Sequence, residues 1–95
     1  MKIRKTKDLQ TTLTQKGFIP EPKKAHHVFY YLNIDGKKHN IYTYFSHGKS
    51  EYDKHLMQQL KKQLKFTETS SAEEFFDCPF TMEQYIEMLK ENGDM

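Results

Sequence analysis

A single cysteine among 95 residues excludes an internal disulfide, so packing must hold this chain together. Long apolar runs are missing too. No stretch approaches the roughly 20 residues of a membrane-spanning helix. The basic start Met1-Lys2-Ile3-Arg4-Lys5 is not followed by the apolar segment of a secretory leader. A soluble, cytoplasmic protein with no membrane contact is expected. Hydrophobic residues make up only 36 %, but aromatic ones reach 14 %. Each ring buries much apolar area, so a few can build one modest core. Repeats, linkers and low-complexity tracts are absent, and the length fits one small domain.

The net charge of +2 conceals a division. Residues 1–65 carry fourteen Lys/Arg against five Asp/Glu, a net +9, whereas residues 66–95 carry one lysine against eight acids, a net −7. A small domain at +9 attracts polyanions. The acidic end could fold back on that surface or face water. For a charge bias alone, two solvated faces are the plainer explanation.

The pattern predicts a first helix capped by Thr6, with Asp8 in its first turn and Leu9 and Leu13 on one face. Gly17 stands where a C′ glycine belongs, with Phe18 as the closing apolar contact. A short extended piece starts at Phe18-Ile19. Pro20 and Pro22 forbid a central strand position there, and Lys23-Lys24-Ala25 reads as a basic link. Residues 26–34 read as a strand. Val28, Tyr30, Leu32 and Ile34 share the parity of His26, and Phe29 and Tyr31 share that of His27. Asp35-Gly36 is a strong hairpin signal, and residues 38–45 return as the partner strand. Both faces carry rings, so the pattern does not choose which one meets the helices. Core packing is expected for at least half of the stripe Phe29, Tyr31, Tyr42 and Tyr44, with base stacking as the other use of it.

After a turn at His47-Gly48-Lys49, Ser50 is expected to cap a helix of about four turns, with Tyr52, Leu56, Leu60 and Leu64 every fourth residue. Its outer face carries Lys54, His55, Lys61, Lys62 and Lys65, ordinarily just the wet side of a helix. Ser71 with Glu74, and Thr81 with Gln84, are capping boxes for two further helices, stopped at Asp77-Cys78-Pro79 and Asn92-Gly93. Cys78, among Phe75, Phe76 and Phe80, reads as a buried, inert thiol. The whole is an α+β chain: an α-β-β-β-α core over residues 1–66, with a three-stranded antiparallel sheet on two helices, and an acidic helical extension over 67–95 packed on the same domain.

The chemistry-bearing residues cluster in the middle. His26-His27 heads the aromatic run, His47 closes the region, and Lys23, Lys24, Lys37, Lys38 and Lys49 surround them. An imidazole titrates near neutral pH and can move the proton of a ribose hydroxyl, while lysines neutralise phosphates. His26 is the candidate general base or acid, against the plain reading of a strand-edge histidine. His27 points to the other face and suits packing or RNA contact better than chemistry. His47 is a second proton-transfer group, a phosphate contact, or simply a turn residue. Neighbouring strand histidines diverge and no cysteine or acid completes a ligand set, so no metal or other cofactor is expected.

These residues in this order resemble the HicA family of toxin ribonucleases, which share the double-stranded-RNA-binding-domain fold. The resemblance spans about residues 3–66. Leu9 to Phe18 is similar to the family's opening helix ending in Lys-Gly-Phe. His26-His27-Val28-Phe29 is similar to its Gly-Ser-His-His-x-Phe stretch, His47-Gly48-Lys49 to its His-Gly turn, and Leu56 to Leu64 to its last helix. The resemblance implies a catalytic His26, messenger RNA as substrate and a partner, HicB-like antitoxin that covers the site. Lys24-Ala25 stands in place of Gly-Ser, and Tyr44-Phe45-Ser46 in place of a proline near the His-Gly turn. Glycine permits a backbone turn that lysine resists, and alanine lacks the serine hydroxyl. These departures motivate the alternative of a non-catalytic RNA- or protein-binding module on the same fold.

Overall fold

A computed structural model describes the chain apart from Ala25, His26, His47, Cys78 and Pro79, and for Pro22, Lys23 and Lys24 it describes the backbone alone. The elements run β1 (Arg4–Lys5), α1 (Thr6–Gln15), β2 (Phe18–Lys24), β3 (His27–Ile34), β4 (Lys37–Ser46), β5 (Glu51–Tyr52), α2 (Lys54–Gln63), α3 (Thr69–Asp77) and α4 (Met82–Glu91). The molecule is α+β, with a three-stranded antiparallel sheet in the order β2-β3-β4 and four helices. No helix among the described residues is long and apolar enough to cross a membrane.

The hairpin forms where Asp35-Gly36 predicts it. Both residues have positive φ, 51° and 79°, which matches the right-handed twist of the flanking strands. β2 runs farther than the two prolines suggest, because it is an edge strand. Pro20 and Pro22 lie opposite Tyr30 and Val28, where a missing N–H costs only solvent-side pairing.

Leu9 and Leu13 of α1 and Met57 and Leu60 of α2 pack on Phe18, Tyr30, Leu32, Ile41 and Phe45 of the sheet. The aliphatic parity of β3 therefore turns inward. The other side of the sheet carries His27, Phe29, Tyr31, Tyr42 and Tyr44, none of which belongs to the core. The expectation that half of this stripe is core is thus corrected. Leucines and methionine on two helices fill one side completely, and rings with polar tips tolerate water on the other.

The segment 67–95 joins the same core. Tyr85 is fully buried, with its ring 5.0 Å from that of Phe75, 5.3 Å from Phe66 and 6.0 Å from Phe18, and its hydroxyl donates to the Leu64 carbonyl at 2.7 Å. Lys16, at the end of α1, is buried and donates its ammonium to the carbonyls of Phe75 and Phe80, with Nζ 4.9 Å from the Phe75 ring centre. Arg4 bridges Glu73 at 3.1 Å and Asp77 at 2.8 Å, and Lys2 reaches Asp77 at 3.3 Å. Burial alone would lower the Arg4 pKa; the two carboxylates outweigh it and raise it.

Three caps differ from expectation. Thr6 does not cap α1: Lys5 holds the N-cap position, and the Thr6 hydroxyl donates instead to the Lys49 carbonyl at 2.6 Å. Ser50 does not cap α2, because Glu51 and Tyr52 pair with Lys5 and Arg4 as a two-residue ladder. The helix starts three residues later, with Asp53 accepting from the Leu56 N–H, and is correspondingly shorter. α3 begins at Thr69, ahead of the expected Ser71. The Thr81–Gln84 capping box is present on α4.

Candidate nucleic-acid interface

The pairing of β2, β3 and β4 decides which sequence segments meet. His27 lies opposite Lys24 on one side and Ser46 on the other. The two histidine-bearing segments therefore reach the same end of the sheet. His26 and His47 themselves, like Cys78, lie outside the described residues, as do the side chains of Lys23 and Lys24. Lys24 is in extended backbone. Among the described residues, the only non-glycines with positive φ are Asp35 and Lys65, so lysine stands at position 24 without left-handed strain.

Lys49 belongs to this end. The Thr6 hydroxyl binds its carbonyl, and the Thr6 N–H donates to Ser50 at 2.9 Å, which fixes the loop 48–50 on the start of α1. The Lys49 side chain is exposed and borders, among others, two clefts against the sheet. One, of about 210 Å³, lies between β4 and α2, with Tyr44, Ser46, Tyr52 and Gln63 in its wall. The other, of about 410 Å³, lies between the sheet and α1, with Lys7, Val28 and Gly48.

Lys37 and Lys38 are not brought to this end. They follow the hairpin turn, pairing with Ile34 and Asn33 at the far end of β3. At the usual strand rise the separation from His27 is about 20 Å. Lys38 is also engaged on the sheet, with Nζ 3.2 Å from a Glu21 carboxylate oxygen and 4.5 Å from the Tyr31 ring centre. The predicted lysine ring around the histidines is thus split between the two ends of the hairpin.

His27 is half-buried and meets the Tyr44 ring edge-on at 5.5 Å. It heads the open aromatic side. There Phe29 lies 6.2 Å from Tyr31, 5.8 Å from Tyr42 and 5.4 Å from Tyr44, with interplanar angles of 19°, 37° and 30°.

Tyr52 is a cleft residue that the sequence pattern missed. Its place one turn before Leu56 reads as helix core, but it ends β5 and donates its hydroxyl to the Tyr44 carbonyl at 3.0 Å. Burial, with a smaller push from Tyr44, raises this phenol to about 12, so it stays protonated near neutral pH and keeps the proton it donates to the Tyr44 carbonyl. Thr43 and Gln63, hydrogen-bonded to each other, add a second polar link between β4 and α2. Among the described residues no three His, Cys, Asp or Glu side chains gather as a metal site.

In comparisons with known proteins, no family model, no curated protein and no solved structure matches this chain.

Proposed function

We propose that this chain is a HicA-like toxin ribonuclease on a double-stranded-RNA-binding-domain-like fold. In this reading it cleaves messenger RNA without a metal and is silenced by a HicB-like antitoxin that covers the site. The observation that carries the reading is the pairing of His27 with Ser46 inside the order α1-β2-β3-β4-α2. It draws the chain neighbours of His26 and His47 to one sheet end, beside the exposed Lys49. The extended backbone at Lys24 also removes the steric objection to lysine before the histidines.

The chemistry is proton transfer at oxygen. His26 accepts the proton of a ribose 2′-hydroxyl, the 2′-oxygen bonds to the adjacent phosphorus, and the bond from phosphorus to the 5′-oxygen breaks. The departing oxygen takes a proton from His47 or from water. The products are a 2′,3′-cyclic phosphate and a 5′-hydroxyl end. Lys49 offsets the charge gathered on the phosphate. Imidazole needs no Lewis acid for this step, so cleavage is expected to persist in EDTA. The His26→Ala variant should cut at least about 100-fold more slowly. An equal rate for the two proteins would sink the reading. RNA binding with no cleavage at any enzyme concentration would leave the binding module that the Ala25 substitution motivates.

A further inference from the structure

We propose that the open side of the sheet is a stacking platform for the bases of single-stranded RNA. The proposal rests on the ribonuclease reading for the identity of the polymer, but it places binding on an aromatic surface that shares only Lys49 with that reading. Phe29, Tyr31, Tyr42 and Tyr44 form one array with ring centres 5.1 to 6.2 Å apart and planes within 37° of one another in each pair. Clustered rings offer what bases need, because every base has a π-face and stacking tolerates any sequence. Tyr42 and Tyr44 are 39 % and 40 % exposed, unusually open for large rings on a sheet whose other side is a filled core.

Charge selects the occupant. Residues 1–65, which build the whole sheet, carry a net +9. The exposed Lys38 stands over Tyr31 at one end of the array, and the exposed Lys49 borders the cleft beside Tyr44 at the other. A strand lying along the array would meet the Lys49 ammonium at one end and, at the other, a Lys38 that is paired with Glu21 and would turn from it to a phosphate. α3 and α4 do not block it, because they join the core on the opposite side of the sheet.

The test uses the full chain carrying His26→Ala, so that bound RNA stays intact. The probe is a labelled, mixed-sequence single strand of about 12 nucleotides. Adding Tyr42→Ala and Tyr44→Ala together should weaken binding at least about 10-fold, while Tyr42→Phe with Tyr44→Phe, which keeps the rings, should stay within about two-fold. The chain has six tyrosines and no tryptophan, so RNA should also quench its intrinsic fluorescence. The platform is overturned if the alanine pair binds like its parent while melting unchanged, or if the parent binds no single strand. It is also overturned if the alanine pair changes the sedimenting mass, which makes the surface a protein contact. The two proposals fail separately. With His26 restored, cleavage whose kcat/KM ignores the alanine pair removes the platform alone. Ring-dependent binding without cleavage removes the ribonuclease alone.

Discussion

At the scale of single residues, the helix ends show where local chemistry wins and where tertiary structure overrides it. Gly17 and Gly93 sit at positive φ just beyond α1 and α4, as their places in the chain predict. α2 ends in the same way but without glycine. Lys65 is at φ 69°, its N–H donates to Lys62, and the Phe66 N–H donates to Lys61. That end was illegible because the residue that marks it is absent. Lys65→Gly removes the left-handed penalty and should raise stability by about 1 kcal/mol, read as a higher urea midpoint at unchanged slope. The Tyr85 hydroxyl works in the opposite direction. Tyr85→Phe keeps the ring but leaves the Leu64 carbonyl without this donor in the core, and should cost about 1–3 kcal/mol in the same measurement. Thr6 and Ser50 were misread for one reason: their segments serve the loop 48–50 and the β1–β5 ladder, which are long-range partners that no local window contains.

At the scale of elements, alternation placed β3, the hairpin and β4 almost to the residue, since a period of two and a two-residue turn are local properties. The side on which the helices lie was not legible, because both parities of β3 and β4 carry rings and the choice is made by the leucines of α1 and α2. The acidic segment was readable as helices packed on the same domain, but not how deeply its rings enter the core. Phe75, Tyr85 and Leu89 are as buried as any residue of the sheet. Removing residues 82–95 should therefore abolish the cooperative thermal transition rather than unmask a basic surface. One lock on this segment responds to pH. The hydrogen bond from Arg4 holds the Asp77 carboxyl below its usual range. Its stabilisation is fully present above the unfolded Asp value of about 3.9 and is lost as pH falls through the lower native value. Asp77 is 44 % exposed, so the effect is less than about 1 kcal/mol. Asp77→Asn should flatten the acid limb of a melting-temperature profile and leave its neutral limb parallel to that of the wild type.

At the scale of the whole molecule, two surfaces carry exposed lysines that the proposed RNA could use. One is the sheet with Lys38 and Lys49 at its ends, and the other is the outer face of α2 with the exposed Lys54, Lys62 and Lys65. Composition cannot separate them, because both lie within the same +9 segment. Salt dependence can. Each lysine that neutralises a phosphate of a single strand contributes about 0.7 to the slope of log affinity against log salt. If RNA lies along the aromatic side, Lys49→Gln should lower the slope by about that amount, and Lys54→Gln with Lys62→Gln should leave it unchanged. If RNA lies across the helices, as it does in double-stranded-RNA-binding domains, the pattern reverses, and a duplex should outcompete a single strand. Lys38 sits between these outcomes. Its ammonium already neutralises Glu21, so turning it to a phosphate breaks an ion pair, and Lys38→Gln should change the slope by less than Lys49→Gln does.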